Sequence, residues 1–289
     1  MDWLRAISEG AILVSDGAMG TMLQSLGLEA GQCPELWNLT HPEKVQQVHR
    51  AYVEVGAQLL TTNTFGGNRV RLAGHGLEAQ LAEINRRAVE IAREAAGDRA
   101  AVMASVGPTG LLMEPLGDLS EEQAFDIFSE QIKAIRDGGA DTVILETFMA
   151  LEEIVVALRA AKSLGMKVIA SMSFGAGERT MMGVTPEQAA TTLMQEGAQV
   201  VGANCSTGAQ EMVPVIRRMR EAVSIPLIAQ PNAGMPVLVE GKTTYTQKPE
   251  EMAQFTPQFV QAGANIVGSC CGSTPEFTRA IVATIARLR

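Results

Sequence analysis

Aromatic side chains are scarce in this sequence: Trp, Tyr and Phe together make up 4% of its 289 residues. Hydrophobic residues still account for 46%, so aliphatic side chains and Met have to fill the core, as they do in parallel α/β proteins. The chain also lacks any apolar run approaching about 18 residues, so we expect no membrane span. An excess of positive charge is lacking as well. The net charge of -9 argues against nucleic acid or an anionic membrane as a partner.

A targeting signal is missing from the amino terminus. Residues 1–5 do not form a charged segment followed by an apolar stretch, so we expect no signal peptide. The four cysteines are then expected in a reducing compartment, the cytoplasm, where thiols serve metals or chemistry rather than disulfides. Histidine is rare. We interpret His41, His49 and His75, which lie in predicted loops or helices, as ordinary surface residues.

Short apolar runs alternate with amphipathic helical stretches eight times along the chain. In the predicted helix Leu77–Ala96 the apolar residues are three or four positions apart. Ser120 and Gln123 predict a capping box, and Thr185 and Thr274 each precede a proline at a predicted first helical position. The predicted strands are Ala11–Ser15, Gln58–Thr62, Ala101–Val106, Thr142–Glu146, Lys167–Ser171, Gln199–Ala203, Pro226–Ala229 and Asn265–Gly268.

The joints between helices and strands repeat one pattern, in which a glycine ends the helix in a left-handed cap and alanine follows. This pattern occurs at four joints. Eight βα units on one chain, without a linker rich in proline, serine or charge, predict a closed (β/α)8 TIM barrel, a single domain over residues 1–289. A doubly wound open sheet is less favoured, because no Gly-x-Gly-x-x-Gly follows the first strand. The joints with this pattern are Val55-Gly56-Ala57, Gly138-Gly139-Ala140, Glu196-Gly197-Ala198 and Ala262-Gly263-Ala264.

Polar residues follow the predicted strands at their carboxyl ends, where barrels of this kind place their active sites. This position defines the candidate site before any particular residue type is considered. The residues at the strand ends are Asp16, Asn63, Gly107, Glu146, Ser173, Cys205, Asn232, Cys270 and Cys271.

Three of these residues are thiols, Cys205, Cys270 and Cys271, and thiols are preferred zinc ligands. Three protein ligands with one open position are typical of a catalytic zinc, and such a zinc can bind a substrate thiol as a thiolate. Activation of a water molecule is a competing use, and a vicinal Cys270–Cys271 disulfide is an alternative that its geometry disfavours. We interpret Cys33 as a small buried residue.

The run Asp16–Thr21 places a carboxylate before a turn at a helix amino end, formed by Ala18, Met19, Gly20 and Thr21. Together with Glu146, it suggests recognition of an amino acid, with carboxylates for its ammonium group and backbone N–H groups for its carboxylate. Asp16 acting only as a helix cap is the structural alternative. Asn63 ends the second strand in hydrogen-bonding groups, and Asn232 could complete the zinc shell when substrate is absent.

At these positions the chain resembles the homocysteine S-methyltransferases, and most of all the amino-terminal homocysteine-binding module of the cobalamin-dependent branch. The resemblance runs nearly end to end and depends on the combination of segments. They are Asp16–Thr21 (DGAMGT), Thr62–Gly66 (TNTFG), Gly107–Gly110 (GPTG), Glu146–Phe148 (ETF), Gly202–Cys205 (GANC), Pro231–Gly234 (PNAG) and Gly268–Pro275 (GSCCGSTP).

The resemblance implies a zinc ion held by Cys205, Cys270 and Cys271, with the sulfur of homocysteine in the fourth position in place of Asn232. It implies that Asp16 and Glu146 hold the substrate amino group and that methionine is the product. Because the chain ends just after its last helix, we expect the methyl donor to come from outside, as methylcobalamin on a corrinoid protein or a cobalamin-binding module.

Several alternatives remain open. Betaine or S-methylmethionine could be the methyl donor, and the chain could be a non-catalytic zinc-thiol subunit of a corrinoid system. A zinc hydrolase with Glu146 as its base is a third and weaker alternative.

Overall fold

Eight parallel strands surround the axis of the molecule, and a separate antiparallel hairpin lies beside them. The computed structural model describes residues 1–175, 177–239 and 242–288. All eight predicted strands occur, with ends that shift by at most two residues. In chain order the strands are β1 Leu13–Val14, β2 Leu59–Thr61, β3 Ala101–Val106, β4 Thr142–Phe148, β5 Lys167–Met172, β6 Val200–Asn204, β7 Leu227–Gln230, β8 Pro236–Val239, β9 Lys242–Tyr245 and β10 Ala264–Val267.

The parallel strands follow one another in the order β1-β10-β7-β6-β5-β4-β3-β2, and contacts between the first and last of them close the barrel. Ser15 and Leu59 form a parallel bridge. The amide of Asp16 donates to the carbonyl of Leu59 at 2.9 Å, and the amide of Gln58 donates to the carbonyl of Val14 at 2.8 Å. The predicted single-domain (β/α)8 barrel is therefore confirmed, and the open sheet is excluded.

Helices surround this barrel and connect its strands. Short 3₁₀ turns cover Pro34–Leu36 and Glu78–Gln80, so the predicted helix Leu77–Ala96 becomes α-helical only at Leu81. The α-helices are α1 Trp3–Ser8, α2 Met19–Ser25, α3 Trp37–Thr40, α4 Pro42–Glu54, α5 Arg69–Ala73, α6 Leu81–Ala96, α7 Glu121–Asp137, α8 Leu151–Ser163, α9 Pro186–Glu196, α10 Ala209–Ala222, α11 Pro249–Ala253, α12 Thr256–Gln261 and α13 Pro275–Ala286.

Most of the predicted helix ends have the expected chemistry. Ser120 and Thr185 each form a capping box with the glutamine three positions later. Thr274 is likewise the N-cap residue of α13, before Pro275 as predicted, although its hydroxyl bonds the carboxylate of Glu276 at 2.6 Å instead of the backbone. The glycines at the helix-to-strand joints have the expected left-handed backbone, with φ between +95° and +101° at Gly56, Gly139, Gly197 and Gly263.

Helix α1 closes the amino-terminal end of the barrel. Trp3 and Ile7 are buried in one apolar cluster with Leu13, Ile144 and Ile266, which lie on three different strands. Because this end is filled by side chains, the opposite end, where the strands finish, remains available for a site. Within residues 1–175, 177–239 and 242–288, no helix has both the length and the apolar character needed to cross a membrane.

One histidine is not a surface residue. His49 on α4 is fully buried, and neither of its ring nitrogens has a hydrogen-bond partner. Burial lowers the pKa of its imidazole to about 4. The expectation fails because His49 lies four residues after Val45 and three before Tyr52, both buried, and therefore shares the core-facing side of the helix. His41 is partly buried, and His75 is exposed as expected.

Candidate metal and substrate site

Three cysteine sulfurs meet at the carboxyl end of the barrel. Cys205 follows β6, and Cys270 and Cys271 follow β10 by a few residues. Their Sγ atoms all lie within 4.8 Å of one another, and those of Cys205 and Cys271 are 3.8 Å apart. Cys270 and Cys271 are free thiols rather than a vicinal disulfide. Cys33 lies elsewhere and is buried, with its Sγ 3.2 Å from a carboxylate oxygen of Glu35.

The spacing of the cluster suits a tetrahedral metal ion. Zinc binds thiolates at about 2.3 Å, which places two sulfur ligands of a tetrahedron about 3.8 Å apart. This agrees with the distance of 3.8 Å between Cys205 and Cys271. Asn232 is buried beside Cys205, and its Oδ1 has no hydrogen-bond partner. An unpaired buried oxygen next to three thiols is a suitable fourth ligand.

The three thiols do not ionise independently. Hydrogen bonds from Cys270 and Cys271 hold the pKa of Cys205 below its usual range. The hydrogen bond with Cys205 in turn raises the pKa of Cys270 and of Cys271. The cluster therefore carries one thiolate easily, and loss of the other two protons requires a compensating cation.

The loop after β7 connects the two segments that carry the cysteines. On one side, the amide of Cys205 donates to the carbonyl of Gln230 at 3.1 Å. Two residues further along each segment, the amide of Asn232 donates to the carbonyl of Thr207 at 3.0 Å. These bonds extend the pairing of β6 with β7 past the ends of both strands.

On its other side, the same loop holds the vicinal pair. The amide of Cys270 donates to the carbonyl of Pro231 at 2.7 Å, and the amide of Ala233 donates to the carbonyl of Cys271 at 2.9 Å. One loop thus positions all three sulfurs through backbone hydrogen bonds, which do not depend on the side chains present.

Left-handed backbone turns the first cysteine toward the others. Cys205, Ser206 and Thr147 have φ values of 59°, 60° and 65°, a region that non-glycine residues rarely occupy. Buried Asn204 holds Thr147 in this conformation: its Oδ1 accepts from the amide of Thr147 at 2.9 Å, and its Nδ2 donates to the Thr147 hydroxyl at 2.7 Å. Strained backbone supported in this way is typical of functional sites.

Two carboxylates, Asp16 after β1 and Glu146 on β4, lie at the same end of the barrel as the cluster. Both oxygens of Asp16 accept from Thr61, whose amide lies 2.8 Å from Oδ2. Burial raises the pKa of Asp16 above its usual range, and the nearby charge of Glu146 adds to this rise. Burial also raises the pKa of Glu146 to about 7 against the effect of a hydrogen bond from Ser105, and the negative charge of Cys205 contributes. This end of the barrel is therefore short of positive charge.

A cavity of about 370 Å³ opens above the thiols. Its wall includes the three cysteines, Glu146 and the segment Ala18–Thr21. Asp16, in contrast, is 1% exposed and contributes no atom to the described wall. One cavity of a size that suits a small ligand thus contains both a carboxylate and a thiol cluster that could hold a metal ion.

Residues 13–285 match the model of a family described as homocysteine S-methyltransferase. The chain belongs to the homocysteine S-methyltransferase family. The methionine synthase of Mycobacterium leprae (strain TN) is 32% identical over 297 residues, which cover 96% of this chain and 24% of that protein. The methionine synthase of Mycobacterium tuberculosis (strain ATCC 25618 / H37Rv) is 31% identical over 309 residues, which cover 100% and 26%. The chain spans about a quarter of the length of these relatives.

A solved member of the family has the same architecture. The metallated form of the homocysteine methyltransferase MmuM from Escherichia coli is 25% identical, with a TM-score of 0.82, and the match covers 98% of this chain and 99% of that one. The barrel of this chain is therefore shared with that protein over nearly its whole length.

In the present chain, the segment Ala18–Thr21 contacts the turn that directly follows the vicinal cysteines. The amide of Ala18 donates to the hydroxyl of Ser273 at 3.0 Å, and the hydroxyl of Thr21 accepts from the amide of Gly272 at 3.0 Å. The role of this segment near a substrate carboxylate remains a prediction. If it is right, that carboxylate lies close to the turn at Gly272 and Ser273.

Asn63 lines the cavity, but its donors are already engaged. Its Nδ2 donates to the carbonyl of Pro34 at 2.7 Å and to Oδ1 of Asn38 at 3.0 Å. Asn38 returns a bond to the carbonyl of Asn63 at 2.8 Å. The predicted contact with substrate therefore rests on the remaining amide oxygen of Asn63.

Sequence reasoning missed several residues that support the site. Asn204 precedes Cys205 within the GANC segment, so the motif itself already contains this supporting residue beside the thiol. Ser105 donates to Glu146, which only the pairing of β3 with β4 brings within reach. Tyr245 of the hairpin packs against Gly272 beside Cys271, and no local pattern in the sequence indicates that contact.

Proposed function

We propose that this chain is a zinc-dependent methyltransferase that activates the thiol of homocysteine for methyl transfer and forms methionine. The observation that carries the proposal is the presence of three thiols within 4.8 Å of one another at the wall of a cavity. Cys205, Cys270 and Cys271 would hold the zinc, and Asn232 would occupy the fourth position until the substrate sulfur replaces it. Three protein ligands and one exchangeable position suit a catalytic zinc.

The carboxylates supply the selectivity for an amino acid. Glu146 lines the cavity directly. Asp16 lies behind the cavity wall and would act on the substrate only through its negative charge. A bound ammonium group would compensate both charges, and no Lys, Arg or His among the residues described as lining the cavity could do so. The segment Ala18–Thr21 would lie near the substrate carboxylate, and Asn63 would contribute its amide oxygen.

The transfer itself requires little from the protein beyond orientation. Bound zinc would lower the pKa of the substrate thiol, so that its sulfur is a thiolate at neutral pH. The sulfur attacks the methyl carbon in line. A new S–C bond forms, the bond between the methyl group and the donor breaks, and its electron pair remains on the donor. No side chain has to remove a proton during this step, because the thiol proton is lost on binding.

We propose a methylated corrinoid protein or cobalamin-binding module as the donor, and the cytoplasm as the location of this homocysteine-binding domain. Support comes from the resemblance in the cysteine-bearing segments and from the similar methionine synthases, of which this chain spans about a quarter. Betaine or S-methylmethionine as donor, or a non-catalytic role beside a corrinoid protein, are the alternatives that an assay has to separate.

Zinc-edge X-ray absorption tests the metal and the acceptor together. We expect three sulfur neighbours in the resting protein and four after addition of homocysteine. Cys271→Ala should lose zinc and methyl transfer together, whereas Cys33→Ser, a change at the cysteine outside the cluster, should retain both. Full methyl transfer by a metal-free Cys271→Ala protein would refute the proposal.

The donor is identified by supplying each candidate to the zinc-loaded protein. Methionine formed from free methylcobalamin, but not from betaine or S-methylmethionine, supports the corrinoid branch. Turnover with either of the other two compounds overturns that choice of donor while leaving the zinc chemistry intact.

A further inference from the structure

The hairpin of β8 and β9 leaves the barrel directly beside the thiol cluster. Pro236 pairs with Tyr245 at its open end, so the chain returns to the place where the hairpin began. The amide of Gln247 then donates to the carbonyl of Ala233 at 3.4 Å. Ala233 belongs to the loop that positions all three sulfurs, so the base of the hairpin is attached to the metal-binding segments.

The ring of Tyr245 packs on the turn that follows the vicinal cysteines. Gly272 has a φ of +80°, and a Cβ at this position would overlap the Tyr245 ring. On its other side, the amide of Gly272 donates to the hydroxyl of Thr21 at 3.0 Å. Gly272 is thus held between an aromatic ring and a hydroxyl, next to Cys271. Only glycine satisfies both the left-handed backbone and the close ring contact.

The side chain of the same tyrosine also lies beside a sulfur of the cluster. The side chains of Tyr245 and Cys271 interact, and a phenol is protonated at neutral pH, so its O–H can donate to the sulfur. Such a bond strengthens when the acceptor carries charge, as a metal-bound thiolate does. It also withdraws electron density from that sulfur alone and makes Cys271 a weaker donor than the other two cysteines.

We propose that Tyr245 is a positioning residue of the metal centre: its ring fixes the turn at Gly272, and its hydroxyl donates to the sulfur of Cys271. The hairpin then controls metal retention: displacing it would remove the packing and the hydrogen bond together. This inference rests on the proposed function, since it requires a metal ion at the three thiols.

Two measurements on the metal-loaded protein test the roles of ring and hydroxyl separately. With Co²⁺ in place of zinc, Tyr245→Phe should bind one ion per chain, and its thiolate-to-cobalt absorption band should shift to lower energy because one sulfur has lost a hydrogen bond. Tyr245→Ala should transfer zinc to a chromogenic chelator about tenfold faster than the wild type, because the bond to a charged sulfur and the ring packing are both lost. Val237→Ala, an exposed change on the same hairpin, should match the wild type.

If the cobalt spectrum of Tyr245→Phe superimposes on the spectrum of the wild type, the proposed role of the hydroxyl is wrong. A release rate for Tyr245→Ala within about twofold of Val237→Ala overturns the role of the ring. If Tyr245→Ala does not fold, the spectrum of Tyr245→Phe, which keeps the ring, still decides whether the hydroxyl donates to Cys271. A wild-type protein that binds neither Co²⁺ nor zinc refutes the proposed function itself, whereas normal binding with unchanged variants refutes only this inference.

Discussion

Protonation of His49 should control how the stability of this protein depends on pH. The imidazole is fully buried without a hydrogen-bond partner, and burial lowers its pKa to about 4. In the unfolded chain a histidine has a pKa of about 6.5. Between these two values the unfolded state binds a proton that the folded state does not, so the free energy of unfolding falls as the pH is lowered through this range.

The size of the effect follows from the two pKa values. A difference of about 2.5 units corresponds to about 3 kcal/mol of stability, fully present above pH ~6.5 and lost as the pH falls toward ~4. Between pH ~7.5 and pH ~5, the loss from this one group is about 2 kcal/mol. That is a large share of the stability of an ordinary domain, about 5–15 kcal/mol.

Urea unfolding of the wild type and of His49→Leu at several pH values isolates this contribution. Both proteins should be free of metal, because metal binding is itself pH-dependent. The difference between the two curves removes the carboxylates, which titrate equally in both. His75→Gln, a change at an exposed histidine, is the control and should keep the wild-type slope. The reasoning fails if His49→Leu loses as much stability on acidification as the wild type.

Three further variants test the architecture of the site. Asn204→Ala removes the partner of the left-handed Thr147 and leaves its backbone amide unpaired, so we expect a loss of about 1–3 kcal/mol, measured by urea unfolding, together with weaker zinc binding. Gly272→Ala should lose zinc, measured by metal analysis, because its Cβ would overlap Tyr245. Gly20→Ala should keep zinc and stability, since a Cβ there meets nothing within 4 Å; equal zinc content in the two glycine variants would contradict this account.

The barrel was predictable because its signals are local. Each strand is a short apolar run, and four of the helix-to-strand joints carry a glycine whose left-handed backbone the structure confirms. Both features depend only on neighbours in sequence. The strand ends then located the candidate site, because parallel strands in a barrel place all their carboxyl ends at one face.

The features that were missed depend on packing between distant segments. The hairpin follows a run of proline, asparagine and glycine that indicates a rigid loop, and nothing local indicates that Tyr245 returns to Cys271. His49 is a different case. The helical period already placed it on the buried side of α4, but the usual exposure of histidine was given more weight than the period.

The position of the sulfurs shows why the metal-binding cluster belongs to the closed barrel rather than to any one motif. Strands β6 and β10 are both neighbours of β7, so about 10 Å separates their axes at the usual spacing of 4.7–4.9 Å. The sulfurs of Cys205 and Cys271 are nevertheless 3.8 Å apart. Both segments must therefore lean over the end of β7. The left-handed backbone at Cys205 supplies that turn on one side, and the hydrogen bonds of the β7 loop hold the vicinal pair on the other. Losing the pairing of β7 with either neighbour would separate the ligands even with every cysteine intact.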